Sequence, residues 1–257
     1  MKKEIMKNTK NLVDTIRNIS SITHKKPDII LRDVTEYTAL LFSMSITPFY
    51  EESLSEFVDV SKVRLNRFQL IDGSLQDNIR VLYVSFIADL VKAFEVSPYD
   101  YLGEIAAEFS SFNDGLGQFM TSGSIAHLAS KILLPKDNND EASTDNIRTI
   151  NDPACGTGGL IINIGKEYMD KGINYQPITQ VFCSDIDLFM VHCCYIQLTL
   201  MSFEGSVIHS DTLKGKPFTA HDMWILPYSV VNGESNRRKN ENEIQYNKLK
   251  ELFSDFL

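Results

Sequence analysis

From Lys10 to about Ser110 apolar residues recur at three- and four-residue spacing. Val34, Tyr37, Leu40, Leu41 and Met44 form one such series, and Val81, Val84, Ile87, Leu90 and Val91 form another. Each predicts an amphipathic helix with a single buried stripe. Pro48, Gly73 and Pro98 cut the run into short segments, because both residue types disfavour helix interiors. Ahead of it lies a basic tip of Lys2, Lys3, Lys7 and Lys10, expected to be mobile.

The grain changes after Pro135. A polar loop over 136–141 gives way to short apolar runs that alternate with helical stretches. Residues 149–152, 178–185, 206–211 and 224–228 read as strands, and residues 160–170 and 188–202 as helices. Strands alternating with helices predict a parallel sheet with helices on its faces. The expected fold is therefore α/β: a Rossmann-like domain over 109–257, preceded by an all-helical domain over 1–108. Residues 232–243, with Arg237, Arg238 and Lys239, read as a solvated loop among acids, and residues 247–257 as a last short helix.

Composition removes several function classes. With 257 residues, 43% of them hydrophobic, the chain can bury a sizeable core. A formal charge of -9 argues against a protein that coats nucleic acid unaided, since phosphate contacts come from Lys and Arg. Cys155, Cys183, Cys193 and Cys194 contain no C-x-x-C pair, so the spacing predicts neither a metal site nor a disulfide framework. Scattered thiols suit a reducing cytoplasm. The most apolar run, 188–203, is interrupted by His192 and Gln197 and falls short of a membrane span. His192, Cys193 and Cys194 read as core residues, and Cys155 as a small packing residue.

The stretch Asn151-Asp152-Pro153-Ala154-Cys155-Gly156-Thr157-Gly158-Gly159-Leu160 joins the first predicted strand to a helix. Its glycines allow backbone to approach a ligand closely. Three successive predicted strands end in an acid: Asp152, Asp185 and Asp211. Ligands of doubly wound sheets sit beyond the carboxyl ends of the strands. Carboxylates there repel phosphate, and the pattern G-x-x-x-x-G-K-[ST] is missing. They suit a ligand that is cationic and rich in hydroxyl and amine donors. S-adenosylmethionine has those groups: a sulfonium, an ammonium, two ribose hydroxyls and an adenine amine. Asp185 follows Gly159 by 26 positions, near the offset of about 20 at which an acid takes ribose hydroxyls in related sheets.

Asp152 to Gly159, DPACGTGG, resembles the cofactor motif of the DNA adenine-N6 methyltransferases that serve as modification subunits of type I restriction systems. Gly117-Gln118-Phe119-Met120-Thr121-Ser122 is similar to that family's GQFFTP segment, with Ser122 at the usual Pro. Asp100-Tyr101-Leu102-Gly103-Glu104 is similar to its D-x-L-G-x motif. The resemblance implies S-adenosylmethionine as cofactor, with Phe119 and Thr121 beside the methionine part. Asp152, Pro153, Ala154, Cys155, Gly156, Thr157 and Gly158 would then surround its carboxylate and ammonium. Asp185 would hold the ribose, Ile186 would flank the adenine, and Asp211 would accept the adenine amine. It implies DNA as a partner, met through another subunit of a restriction-modification assembly.

The family's (Asn/Asp)-Pro-Pro-(Tyr/Phe) motif supplies acceptors for the adenine amine and a ring that stacks on the flipped base. The best match here is Ile225-Leu226-Pro227-Tyr228, in which Ile225 cannot accept a hydrogen bond. Losing such an acceptor typically costs ~3 to 4 kcal/mol in the transition state. Tyr228, with Trp224, is left as a candidate for base stacking, and no residue is assigned to methyl transfer. After Tyr228 the sequence offers one loop and one helix, where a full sheet needs about three more strands. We expect a complete protein that kept the cofactor pocket and discarded base chemistry, rather than a fragment. The alternative is a non-catalytic regulatory partner of a restriction-modification or other DNA-binding assembly.

Overall fold

The computed structural model describes residues 2–46, 55–109, 123–134, 147–215 and 217–231. Its helical part comprises α1 (Lys2–Thr23), α2 (Pro27–Met44), α3 (Ser55–Ser74), α4 (Asp77–Val96), α5 (Tyr101–Glu108) and α6 (Gly123–Leu133). The basic tip expected to be mobile is instead the first turns of α1, whose buried stripe of Leu12, Val13, Ile16 and Ile19 anchors the helix. Gly73 lies in the last turn of α3, and Pro98 separates α4 from α5. Pro48, Phe119, Thr121, the loop over 136–141 and residues 232–257 lie outside the described residues.

The sheet follows as β1 (Arg148–Asp152), α7 (Gly159–Asp170), β2 (Thr179–Asp185), α8 (Leu188–Leu200), β3 (Glu204–His209) and β4 (Met223–Ile225), then the short helix α9 (Pro227–Val231). Its order is β1-β2-β3-β4. β1, β2 and β3 are parallel, with Ile150 beside Val181 and Val181 beside Gly205. The fourth strand departs from the expected parallel sheet. β4 pairs antiparallel with β3, Trp224 lying opposite Val207, and the strand predicted over 224–228 ends at Ile225 and turns into α9. Pro227 explains the stop: it lacks the N–H a ladder needs and suits the first turn of a helix.

Side chains alternate across the pleat, so each strand feeds two layers. Val181, Cys183 and Val207 join the main core with α7, α8 and the helical part, whereas Phe182, Ile208 and Met223 meet Phe57 and Val60 of α3 on the other face. α8 is apolar on every side and buried from Phe189 to Leu198. That is the pattern of a helix covered all round: β2 and β3 lie on one side and α2 on the other. The main core runs without a break from Leu12 in α1 to Phe203 before β3.

Candidate functional site

The glycine loop between β1 and α7 is shaped by local chemistry. Gly156 and Gly158 have φ of 52° and 91°, a left-handed conformation that L side chains rarely adopt. A side chain on Gly158 would also lie 3.0 Å from the Cys194 sulfur of α8. The backbone is therefore pressed onto α8 from one side. At Gly156 an added Cβ would meet nothing within 4 Å, so the loop faces open space there.

Beneath the loop lies a buried polar network. Asp100, the N-cap of α5, accepts hydrogen bonds from Gly103 N (3.0 Å), Thr157 Oγ1 (2.7 Å) and Gln197 Nε2 (2.8 Å). Gln197 Nε2 also donates to Thr157 O (2.8 Å), and its Oε1 accepts from Leu102 N (3.1 Å). Burial pushes the Asp100 carboxyl up, and these donors pull it back toward ionisation. An added Cβ on Gly159 would come within 2.8 Å of Asp100 Oδ2, so the last glycine of the loop leaves room for this carboxylate. Asp100 is noticeable in the sequence as part of a motif, but its partner Gln197 is not. Its only signal is one amide inside a largely apolar helix.

The strand-terminal acids gather on one rim. Asp185 is fixed through both oxygens, Oδ2 accepting from Gly156 N and Oδ1 from Asp187 N, each at 2.9 Å. Cys155 N donates to Ser184 O (2.9 Å), Thr212 Oγ1 to Pro153 O (3.1 Å) and Ser210 N to Asp185 O (2.9 Å). These bonds stitch together the three loops that follow β1, β2 and β3. Burial, aided by negative charge on Cys183 and Asp185, raises the Asp152 carboxyl to about 6. Burial likewise raises Asp185. Asp211 is lowered by its bond to Lys214, whose Nζ lies 2.9 Å away. Ile186, 40% exposed, presents an apolar surface on the same rim.

Residues 225–228 are elsewhere. Because β4 is antiparallel, Ile225 pairs with Ser206 near the start of β3, and Leu226 N donates to Gly205 O (3.0 Å). The whole Ile-Leu-Pro-Tyr segment thus sits at the end of the sheet opposite the acids. Tyr228 is not placed to stack on a base at the rim, and Ile225 does not occupy an amine-acceptor position there. Trp224 is buried, with the Arg64 guanidinium 3.9 Å from its ring centre and His192 edge-on at 4.8 Å. Burial lowers His192 to about 3, as expected of a neutral core residue.

With this geometry in view, the match to known families is decisive. The family model described as N-6 DNA Methylase matches residues 99–251, which include the Asp100 network, the glycine loop and all three strand-terminal acids. The chain belongs to the N-6 DNA methylase family. No curated protein matches it. Among solved structures it is similar to a class I S-adenosylmethionine-dependent methyltransferase of Listeria monocytogenes, at 14% identity and a TM-score of 0.46, covering 82% of this chain and 54% of that one. A type I restriction-modification methyltransferase subunit of Streptococcus thermophilus gives 14% identity and a TM-score of 0.38, covering 82% and 59%. A DrdV–DNA complex gives 14% and 0.34, covering 93% of this chain and 28% of that one. The chain thus spans little more than half the length of the first two. Its family membership rests on the matched segment, not on these weak overall likenesses.

Apart from Gly158, pressed onto α8, the described residues that the sequence assigns to the cofactor divide into two groups. Asp152, Pro153, Ala154, Gly156, Asp185, Ile186 and Asp211 belong to the rim. Thr157 and Cys155 turn inward: the Thr157 hydroxyl bonds to Asp100, and the Cys155 sulfur lies among those of Cys183 and Cys194. Only backbone of these two is offered to the cleft. The rim fits S-adenosylmethionine on its own terms. Two poorly solvated carboxylates whose proton affinity is raised gain from a nearby cation, and Asp185, held by two N–H donors, retains lone pairs for a ribose diol. Among the described residues no helix is long and apolar enough to cross a membrane.

Proposed function

We propose that this chain binds S-adenosylmethionine on the rim formed by Asp152, Asp185 and Asp211, as the cofactor-holding part of an adenine-N6 DNA methyltransferase. The observation that carries this reading is Asp185, whose carboxylate is bonded by the glycine loop and by its own loop at once. In this role Asp185 takes the ribose hydroxyls, Asp152 faces the ammonium, Ile186 covers the adenine, and Asp211 exchanges Lys214 for the adenine amine. Phe119 and Thr121 complete the methionine end. We assign residues 1–108 to a helical domain and 109–257 to the cofactor domain. The formal charge of -9 makes a second subunit the means of reaching DNA, in keeping with a restriction-modification assembly in the cytoplasm.

Calorimetry tests the reading directly. The parent protein should bind S-adenosylmethionine with one site per chain. Asp185→Asn keeps the shape but halves the acceptor strength, and should weaken binding by about 10- to 100-fold, the worth of about 1.5 to 3 kcal/mol for a charged hydrogen bond. Equal affinity in both proteins would remove Asp185 from the site, and no heat with either would end the cofactor assignment.

A further inference from the structure

The fold gathers three cysteines that are far apart in sequence. Cys155 comes from the glycine loop, Cys183 from β2 and Cys194 from α8, and their sulfurs all lie within 4.8 Å of one another. Cys183 and Cys194 are fully buried, and Cys155, 7% exposed, is the member nearest the cleft. None forms a disulfide. The fourth cysteine, Cys193, neighbours Cys194 in the chain but is not part of the cluster.

We propose that Cys155, Cys183 and Cys194 form a three-sulfur site for a soft monovalent cation of the Cu(I) class. Two arguments select that class. Thiolates prefer Cu(I), zinc and iron-sulfur clusters over hard cations. Zinc takes four ligands, with water completing a site that has three from protein, whereas this trio is closed off by α8 and the sheet. The donors come from a loop, a strand and a helix, so an ion held there ties the base of the glycine loop to the sheet and to α8.

The reduced full chain should be titrated anaerobically with Cu(I) in the presence of the chelator bicinchoninate. We expect one copper per chain to be withheld, and X-ray absorption to show a first shell of three sulfurs and no nitrogen. Cys183→Ser and Cys194→Ser should each weaken retention by about 100-fold or more, since even outer-shell changes at metal sites cost about 10- to 100-fold. Cys193→Ser should retain the metal like the parent. The absorption measurement on the parent needs no variant, so a misfolded mutant does not rescue the idea. The site is overturned if no copper withstands the chelator, if the shell contains nitrogen, or if Cys193→Ser loses copper as Cys183→Ser does. Preferential retention of Zn(II) would overturn the assignment to a monovalent ion.

Discussion

The two ends of the sheet are built from different materials. At the carboxyl ends of β1, β2 and β3 there are acids, left-handed glycines and loops joined by hydrogen bonds. At the opposite end the chain packs by apolar contact and close backbone approach: Leu226 is fully buried, Gly205 N donates to Ser229 Oγ at 2.7 Å, and β4 closes the edge of β3. The first end carries strained and poorly solvated polar groups, and the second carries tight packing. A residue's place in this division, more than its likeness to a motif, tells whether changing it should alter binding or stability.

The largest expected effect lies at the packed end. Gly205 has φ of 131°, a region open essentially to glycine alone. A Cβ there would collide with the carbonyl oxygen of Val181, its partner on β2. Backbone cannot swing aside as a side chain can. Gly205→Ala should therefore cost about 4 kcal/mol or more, the range reserved for severe core damage. Urea denaturation, or outright loss of soluble protein, is the measurement. A stable variant would mean that β2 and β3 do not pair in this register.

Next comes the seam between the helical part and the cleft. Gln197→Leu preserves volume while removing one donor from Asp100, another from Thr157 O and the acceptor of Leu102 N. A buried carboxylate stripped of a partner is strongly destabilising, and we expect a loss of about 3 to 5 kcal/mol. Gln197→Glu should not rescue it, because it brings a second acid to Asp100. Stability within about 0.5 kcal/mol of the parent would show that the network does not hold the loop.

The third effect has the opposite sign. Asp152 is raised from 3.8 to about 6 in the folded chain, so the folded state binds its proton more tightly than the unfolded state does. Its favourable contribution is present below about pH 4 and is lost as the pH rises through about 6. Asp152→Asn removes the buried charge and should stabilise the protein at pH 8 by about 1 to 3 kcal/mol, with the gain vanishing at pH 4. Denaturation of both proteins at the two pH values checks this. A gain that is the same at both would trace to packing instead of charge. Stability won by deleting a cleft acid is the expected signature of a group retained for a ligand.

How far the sequence predicts this molecule follows from the range of each interaction. Helical and strand periods, the glycine loop and the strand-terminal acids are local patterns, and they foretell the α/β order and the residues of the rim. Gln197, the three-cysteine cluster and the direction of β4 depend on which strands become neighbours, which no local spacing encodes. Cys155, Cys183 and Cys194 lack any metal-ligand spacing, yet the sheet and α8 bring them together. The same limit explains Ile225 and Leu226. Read in a line they look like a damaged catalytic motif, but antiparallel pairing carries them to the other end of the sheet, so their chemistry says nothing about whether base chemistry was discarded.

The smallest expected effect follows from that displacement. If residues 225–228 served the cleft, removing the Tyr228 hydroxyl or its ring would disturb cofactor binding. Tyr228 instead opens α9, one residue before the Ser229 hydroxyl that accepts from Gly205 N. Tyr228→Phe keeps the ring and should leave S-adenosylmethionine affinity unchanged, because α9 lies at the end of the sheet opposite the acids. Ser229→Ala, its neighbour, should lower stability by about 1 kcal/mol through the lost bond to Gly205 and likewise spare the cofactor. Calorimetry on the pair separates the two ends of the sheet cleanly. A tenfold loss of cofactor affinity in Tyr228→Phe alone would require this residue to reach the rim, and the antiparallel pairing of β4 with β3 would then have to be abandoned.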